Sequence, residues 1–161
     1  MKTRVFWVLV LSVLFSLAFS LPLLAQEKMA TPEQAKELYA QIIKYVKSVG
    51  CEQAIEELKK GKFYIYKNAY PSVSDEEGVN LFNAKYPYLA GKKLIDLKDA
   101  TGKYFIREAR EQIEKKGKAV VHYKWMDPQT KKVESRTMLV EPVKCSDGRM
   151  IRYAVTYEGS M

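Results

Sequence analysis

The segment from Lys118 to Val140, KAVVHYKWMDPQTKKVESRTMLV, constrains the fold more than any other part of the chain. Two runs rich in Val, Tyr, Trp and Thr flank the sequence Asp-Pro-Gln-Thr at positions 127–130. β-Branched and aromatic residues favour strands, whereas a Pro that follows Asp favours a turn and would interrupt a strand ladder. The segment therefore predicts a β-hairpin whose turn lies between Met126 and Lys131.

The two strands of this hairpin bring chemically useful side chains to one face. Side chains alternate along a strand, so Tyr123 and Trp125 lie on the same face. A turn over residues 127–130 pairs odd-numbered with even-numbered residues and brings Arg136 to that face, whereas a slip by one residue removes it. Two rings with polar tips and one guanidinium could hold a small carboxylate. The alternative is ordinary core, with Arg136 in a rim ion pair with Glu134.

The N-terminus has the pattern of a secretory signal peptide. Lys2 and Arg4 precede an apolar run from Val5 to Leu24, and Ala25 supplies a small residue at a suitable cleavage point. We therefore predict a signal peptide over residues 1–25 and one mature domain over 26–161, located in the periplasm or secreted. The run is also long enough for an uncleaved membrane anchor, which is the alternative.

The chain is basic, and its basic residues are dispersed. The 161 residues include 27 Lys and Arg and 19 Asp and Glu, which gives a formal net charge of +8. An excess of positive charge favours anionic ligands, but basic residues interleaved with acidic ones do not form the stripe that a nucleic acid needs. We therefore predict no nucleic-acid partner. The length fits a single domain with one core.

Cysteine and histidine usage narrows the chemistry further. Cys51 and Cys145 are the two cysteines of the chain, and in an oxidising compartment such a pair indicates a disulfide, with two free thiols as the alternative. His122 is the single histidine, and the sequence has no CxxC motif. No cofactor, no metal site and no catalytic residues are predicted, because no nucleophile, base and orienting acid form a recognisable motif.

The periodicity of the remaining segments predicts an α+β domain. Thr31, Pro32 and Gln34 form a helix start, and an apolar stripe that fits either core or a homodimer seam runs to Gly50. Further helices are predicted over 51–60 and 103–116, and further strands over 63–69, 79–82 and 150–157. In the last strand we assign Tyr153 and its odd-numbered neighbours to the inner face. The result is a five-stranded antiparallel sheet with a long N-terminal helix packed across it.

Three segments carry a resemblance to a known family. They are LAGKKLIDLKDATGKYFIRE (Leu89–Glu108), VHYKWMDPQTKK (Val121–Lys132) and EQAIEELKKGKF (Glu52–Phe63). The chain from about Gln34 to Tyr157 resembles the single Cache domains of type 2, which are extracytoplasmic sensor modules. The resemblance implies a PAS-like sheet, a pocket for small organic molecules, commonly short carboxylates, and signalling without catalysis.

The resemblance also implies which residues form the pocket. Tyr123 and Trp125 match the family's aromatic pair, Arg136 matches a basic position on the next strand, and Tyr86 falls in the loop that reaches over the ligand. The chain departs from the family where Lys85 and Tyr86 precede Pro87 in place of a His-Pro pair. It departs again at Leu139, where a Tyr is usual.

These features predict a periplasmic module that binds a small carboxylate and signals through a partner. The sequence shows no second apolar segment and no transmitter domain, so we expect a free-standing version that acts through a membrane receptor or kinase. If the apolar stripe of the N-terminal helix is a seam instead of core, the chain would form a homodimer through that helix. The alternative function is a structural or interaction module of the cell envelope that binds no ligand.

Overall fold

A computed structural model describes residues 28–159, and the predicted signal peptide lies outside these residues. The described chain contains three α-helices and five β-strands. In chain order they are α1 (Pro32–Val49), α2 (Cys51–Lys59), β1 (Ala69–Ser74), β2 (Asn80–Asn83), α3 (Phe105–Lys116), β3 (Ala119–Met126), β4 (Val133–Lys144) and β5 (Met150–Glu158). The strands form one antiparallel sheet in the order β2-β1-β5-β4-β3. The predicted α+β class with a five-stranded antiparallel sheet is confirmed.

The hairpin has the predicted pairing parity but a longer turn. Tyr123 pairs with Arg136, and the last pair is Met126 with Val133, so the turn spans residues 127–132 instead of 127–130. The Asp127 carboxylate accepts hydrogen bonds from the backbone N–H groups of Gln129 and Thr130 at 2.8 and 3.0 Å. An Asp side chain that caps its own turn in this way stabilises the wider loop.

The long helix α1 packs across the sheet as predicted. Thr31 caps it, and Gln34 returns a hydrogen bond to the cap, which completes the capping box. The apolar stripe of α1 packs against the β4 and β5 side chains in one large core, so the stripe is core. The outward face of α1 carries exposed polar residues such as Lys36, Gln41 and Lys44.

The predicted strand over residues 63–69 is wrong, because the first strand, β1, begins at Ala69 and runs to Ser74. Phe63 has a φ of 67°, which ends any extended conformation there. Pro71 is tolerated in β1 because it lies just beyond Ser72, where the ladder with β2 ends. The Pro71 carbonyl points to the β2 side, where it accepts from Ala84 N–H at 3.1 Å. A backbone N–H at this position would point to the same side, so its absence removes no hydrogen bond from the ladder.

A disulfide joins the layer formed by α1 and α2 to the sheet. Cys51 at the start of α2 is bonded to Cys145 in the β4–β5 turn, with their Cα atoms 5.6 Å apart. Two polar contacts lie beside it. Arg149 donates to the Glu52 carboxylate at 2.8 Å, and the Tyr153 hydroxyl donates to the Cys51 carbonyl at 3.2 Å. The bond therefore fixes the start of α2 to the β4–β5 turn, within the core that α1 and α2 cover.

Asp99 attaches the segment that precedes α3 to the edge strand β3. One carboxylate oxygen accepts from the backbone N–H groups of Thr101 and Lys103 and from the Thr101 hydroxyl, and the other accepts from Lys124 N–H at 2.8 Å. Burial would raise the pKa of Asp99, but these donors outweigh burial and lower the pKa to about 2. Asp99 is thus a buried anion that accepts hydrogen bonds from the backbone of its own segment and from the backbone of β3.

No helix within residues 28–159 is long and apolar enough to span a bilayer.

We expect thiol counting on denatured, unreduced protein to find no reactive thiol per chain. The double variant Cys51→Ala/Cys145→Ala should lose about 3–4 kcal/mol of unfolding free energy, because the bond closes a long loop in the unfolded chain. Denaturant unfolding with and without reductant checks this value, and reductant should leave the double variant unchanged. Two reactive thiols per chain would contradict the bond.

Acid unfolding should reveal the anchoring role of Asp99. Its folded pKa lies below the ordinary value of about 3.9, so its stabilisation is present above about pH 4 and is lost as the pH falls towards 2. Asp99→Asn should lose about 2 kcal/mol at pH 7, and its stability difference from wild type should shrink between pH 4 and 2. Asp96→Asn, an exposed carboxylate of the same segment, is the matched control. A pH-independent difference would contradict this role.

Candidate ligand-binding site

A cavity of about 90 Å³ lies on the sheet face opposite α1. Strands β1, β4 and β5 form its floor, and α3 covers one side. The rest of its roof is the segment 84–104, which we call the cover loop. A single water needs roughly 10–15 Å³ of cavity volume, so the cavity has room for several waters or for a small organic molecule.

The cavity exists because its floor carries small side chains. Ser72 and Ser74 of β1 lie beside Ala154 and Thr156 of β5, and α3 presents Ala109 above them. Protein interiors are close-packed, and large side chains at these positions would fill the space. Five small residues on adjoining elements therefore leave a space that the surrounding apolar residues do not close.

The cover loop is positioned by local hydrogen bonds. The Asn83 side-chain oxygen accepts from the backbone N–H groups of Lys85 and Tyr86 at 3.1 and 2.8 Å, which turns the chain at the end of β2. Further along, Ile95 rests on Gly78, where an added Cβ would come within 3.2 Å of the Ile95 Cβ. The Gly78 φ of 80° also disfavours any other residue there.

Three of the four predicted site residues meet at one end of the cavity. Tyr86, Tyr123 and Trp125 all line it, with ring centroids 6.1 Å apart for Tyr86 and Trp125 and 6.5 Å for Tyr123 and Trp125. Phe105 of α3 stacks on Tyr123 at 4.2 Å. The buried indole N–H of Trp125 has no acceptor within the described part of the chain. We call this the aromatic end of the cavity.

Arg136, the fourth predicted residue, lies behind this wall. It is 1 % exposed, and the residues that line the cavity in the described structure do not include it. Its guanidinium donates to the hydroxyl groups of Tyr70 and Tyr86 at 2.9 and 2.8 Å and to the Glu134 carboxylate at 2.7 Å. A second carboxylate, that of Asp127, lies 3.5 Å away. The charge of Arg136 is therefore compensated by protein groups.

The titration behaviour of this cluster follows from the same contacts. Burial alone would lower the pKa of Arg136, but Tyr70, Glu134 and Tyr86 together raise the pKa above its usual range. The turn N–H of Thr130 lowers the pKa of Asp127 to about 2 against an opposing effect of burial, with help from the Tyr86 hydroxyl. Arg136 and Asp127 are thus both charged at neutral pH.

Sequence reasoning missed Tyr70, whose hydroxyl accepts from Arg136 and which lines the cavity. Burial raises the pKa of Tyr70 well above its usual value, so the hydroxyl keeps its proton at neutral pH. The residue was missed because the first strand was placed before Ala69. Strand alternation from Ala69 onward would have put Tyr70, Ser72 and Ser74 on one face.

Sequence reasoning also missed the opposite end of the cavity, which contains Arg110 and Arg152. Alternation did place Arg152 with Ala154 and Thr156, but we had assigned only the other face of β5 to the interior. The structure covers both faces of the sheet, with α1 and α2 on one side and α3 and the cover loop on the other. Asn80 of β2 lies at this end, and its buried side-chain oxygen has no partner in the described chain.

His122 lies outside the cavity. Its ring is exposed, and its Nδ1 is 2.9 Å from the Thr137 hydroxyl. Within residues 28–159, no group of three or more His, Cys, Asp and Glu side chains could hold a metal ion.

Comparison with known proteins identifies the family. The sequence matches the family described as Single Cache domain 2 over residues 24–147. No curated protein matches it.

Several solved structures share the fold. A periplasmic sensor domain of a chemotaxis protein is 18% identical, with a TM-score of 0.57, and the match covers 80% of this chain and 89% of that one. A Cache chemosensory domain studied for carboxylic acid recognition is 20% identical, with a TM-score of 0.53 and coverage of 76% and 85%. A methyl-accepting chemotaxis protein from Vibrio parahaemolyticus RIMD 2210633 is 20% identical, with a TM-score of 0.51 and coverage of 76% and 87%.

The sheet order, the cavity between sheet and cover, and the family match over most of the chain agree with one another. The protein therefore belongs to the single Cache domain 2 family of extracytoplasmic ligand-sensing domains.

Proposed function

We propose that this domain binds a small carboxylate at the aromatic end of its cavity and reports the binding to a signalling partner. The observation that carries the proposal is the Trp125 indole N–H, a buried donor in the cavity wall that has no acceptor in the described chain. A buried donor without a partner costs about 1–3 kcal/mol. A ligand oxygen would remove that cost, since most buried polar groups in native proteins have a hydrogen-bond partner.

The surroundings of Trp125 support an acidic ligand with an apolar part. Tyr70 and Tyr86 bring hydroxyl groups to the wall, and Phe105 and Met138 contribute apolar surface. Tyr70 accepts a hydrogen bond from Arg136. Burial raises the pKa of Tyr123, and a hydrogen bond from Tyr70 opposes that rise, so the tyrosines of this wall are ordered by their own hydrogen bonds. A solved Cache domain studied for carboxylic acid recognition shares this fold, which agrees with the proposal.

In this proposal Arg136 acts through the tyrosines that it holds. Its guanidinium orients Tyr70 and Tyr86 and supplies positive potential behind the wall, partly offset by Glu134 and Asp127. Arg136 is therefore a positioning residue: it holds the ring of Tyr70 and, together with Asp127, which accepts from the Tyr86 hydroxyl at 2.9 Å, the ring of Tyr86 in the cavity wall. Its removal would leave two carboxylates without their cation, so the fold would be weakened together with binding.

The domain would act outside the cytoplasm, after cleavage of the signal peptide near Ala25, through a membrane receptor or a kinase. We propose that the domain binds its ligand without catalysing a reaction. A homodimer through α1 would have to use the exposed polar face of that helix, because the apolar stripe is core. The competing function, an envelope module without a ligand, would leave the Trp125 N–H unexplained.

Titration calorimetry should detect one binding site in the micromolar range for at least one of acetate, propionate, lactate and pyruvate. The folded state is checked in parallel by thermal unfolding, which a bound acid should shift upward. Uniform absence of heat and of a thermal shift, with a cooperatively folded protein, would remove the proposed function.

Trp125→Phe should weaken acid binding about fivefold to tenfold, because the variant keeps a ring in the wall but loses the N–H donor. The variant should remain folded with a small loss of unfolding free energy from the smaller ring, since the lost donor has no protein partner to leave unpaired. Tyr88→Phe, which alters an exposed ring of the cover loop, is the control and should bind as wild type does. Equal affinity of Trp125→Phe and wild type would exclude the indole as a ligand contact.

A further inference from the structure

The end of the cavity opposite Trp125 carries a row of three polar residues. The strand register pairs Ser74 of β1 with Asn80 of β2 on one side and with Arg152 of β5 on the other. All three line the cavity, and Arg110 of α3 lines it above them. Neighbouring strands lie about 4.8 Å apart, so the row forms one continuous polar strip across the sheet. We call it the Arg152 row.

Arg152 is a cation whose charge the protein does not neutralise. Its Nη1 donates to the Asp75 backbone carbonyl, and its buried Nε has no acceptor in the described chain. Burial lowers the pKa of Arg152, and the nearby Arg110 lowers it further, against weaker opposite effects of Glu76, Asp75 and Glu114. This is the reverse of Arg136, whose contacts raise its pKa. Of these two cavity-side guanidinium groups, Arg152 is the one short of negative charge.

The carboxylates near Arg152 are engaged elsewhere. Asp75 accepts from Val79 N–H at 2.8 Å, and Glu76, which also lines this end of the cavity, accepts from Met150 N–H at 2.9 Å. Glu114 forms an ion pair with Arg110 at 3.2 Å. No ion pair to Arg152 is formed within residues 28–159. An anion that entered the cavity would therefore meet an unpaired guanidinium flanked by the Ser74 hydroxyl and the Asn80 carboxamide, both of which can donate hydrogen bonds.

The two ends of the cavity are too far apart for a short acid to contact both. On β5, Arg152 is four residues from Thr156, which pairs with Tyr70 at the aromatic end. Four residues of a strand span about 13 Å. Acetate or propionate at Trp125 would leave the Arg152 row without a partner. The cavity volume of about 90 Å³ corresponds to several waters, which exceeds what acetate displaces.

We propose that the preferred ligand is an elongated dicarboxylate of about six to nine carbons, with one carboxylate at the aromatic end and the other on the Arg152 row. The chain between the carboxylates lies over the small residues Ser72, Ala154 and Thr156. This inference rests on the proposed function, because the first carboxylate occupies the site at Trp125. It adds a second charged contact and thereby defines ligand length and charge.

Titration of matched pairs of acids tests the proposal. Adipate is compared with hexanoate and suberate with octanoate, so that each pair differs by one terminal carboxylate. In the pair whose diacid binds more tightly to wild type, the diacid should bind about 30-fold more tightly than its monoacid. This factor corresponds to the smallest cost that usually follows the loss of one partner of a buried charge pair. Arg152→Gln should abolish that difference and leave monoacid affinity unchanged.

Two further variants make the result decisive. Arg149→Gln is the control, because Arg149 precedes β5 and is exposed in ion pairs with Glu52 and Asp147, so diacid binding should not change. Thermal unfolding establishes that Arg152→Gln is folded. If it is not, Arg110→Gln, which alters an exposed side chain above the row, should lower diacid affinity selectively.

The outcomes separate this inference from the proposed function. If monoacids bind and diacids bind no tighter, the second contact is overturned while the proposed function stands. If Arg152→Gln weakens monoacids and diacids equally, a single carboxylate sits on the Arg152 row and the two-ended arrangement is wrong. If no acid binds to folded wild-type protein, both are overturned.

Discussion

The buried charge of Arg136 is the constraint on which the aromatic end of this molecule depends. A guanidinium at 1 % exposure on a central strand must have its charge compensated, since an unpaired buried charge is strongly destabilising. The compensation comes from three directions. Tyr70 belongs to β1, Tyr86 to the cover loop, and Asp127 to the hairpin turn. One cation thereby fixes the relative positions of three segments that are distant in the sequence.

The same arrangement explains why the cavity has unlike ends. At Arg136 the cation is surrounded by carboxylates and phenols, and its influence reaches the cavity through hydroxyl groups. At the other end Arg152 lines the cavity and forms no ion pair in the described chain. Small residues on β1 and β5 connect the two ends. A space with one hydrogen-bonding end and one cationic end has a direction, and a ligand must match it.

Much of the fold could be predicted from local patterns, and the errors came from tertiary context. The capping box at Thr31, the end of the third helix at Lys116 and the odd-to-even parity of the hairpin are local signals, and each appears in the structure. The first strand was misplaced because an aromatic run favours a strand, whereas the segment at Phe63 turns with a positive φ. Tyr70 was lost with that strand. Arg152 was misread because alternation separates two faces but does not reveal that both are covered.

The two layers that cover the sheet are joined to it by bonds of very different strength. The layer of α1 and α2 is fixed covalently through Cys51 and Cys145, while the cover on the other face is held at its junction with β3 by hydrogen bonds to Asp99. Hydrogen bonds break and re-form on thermal timescales, and a disulfide does not. The cover can therefore be displaced more readily than the layer of α1 and α2. If a bound ligand moves part of the protein, we expect the movement in the cover loop and α3, and a partner protein would detect it there.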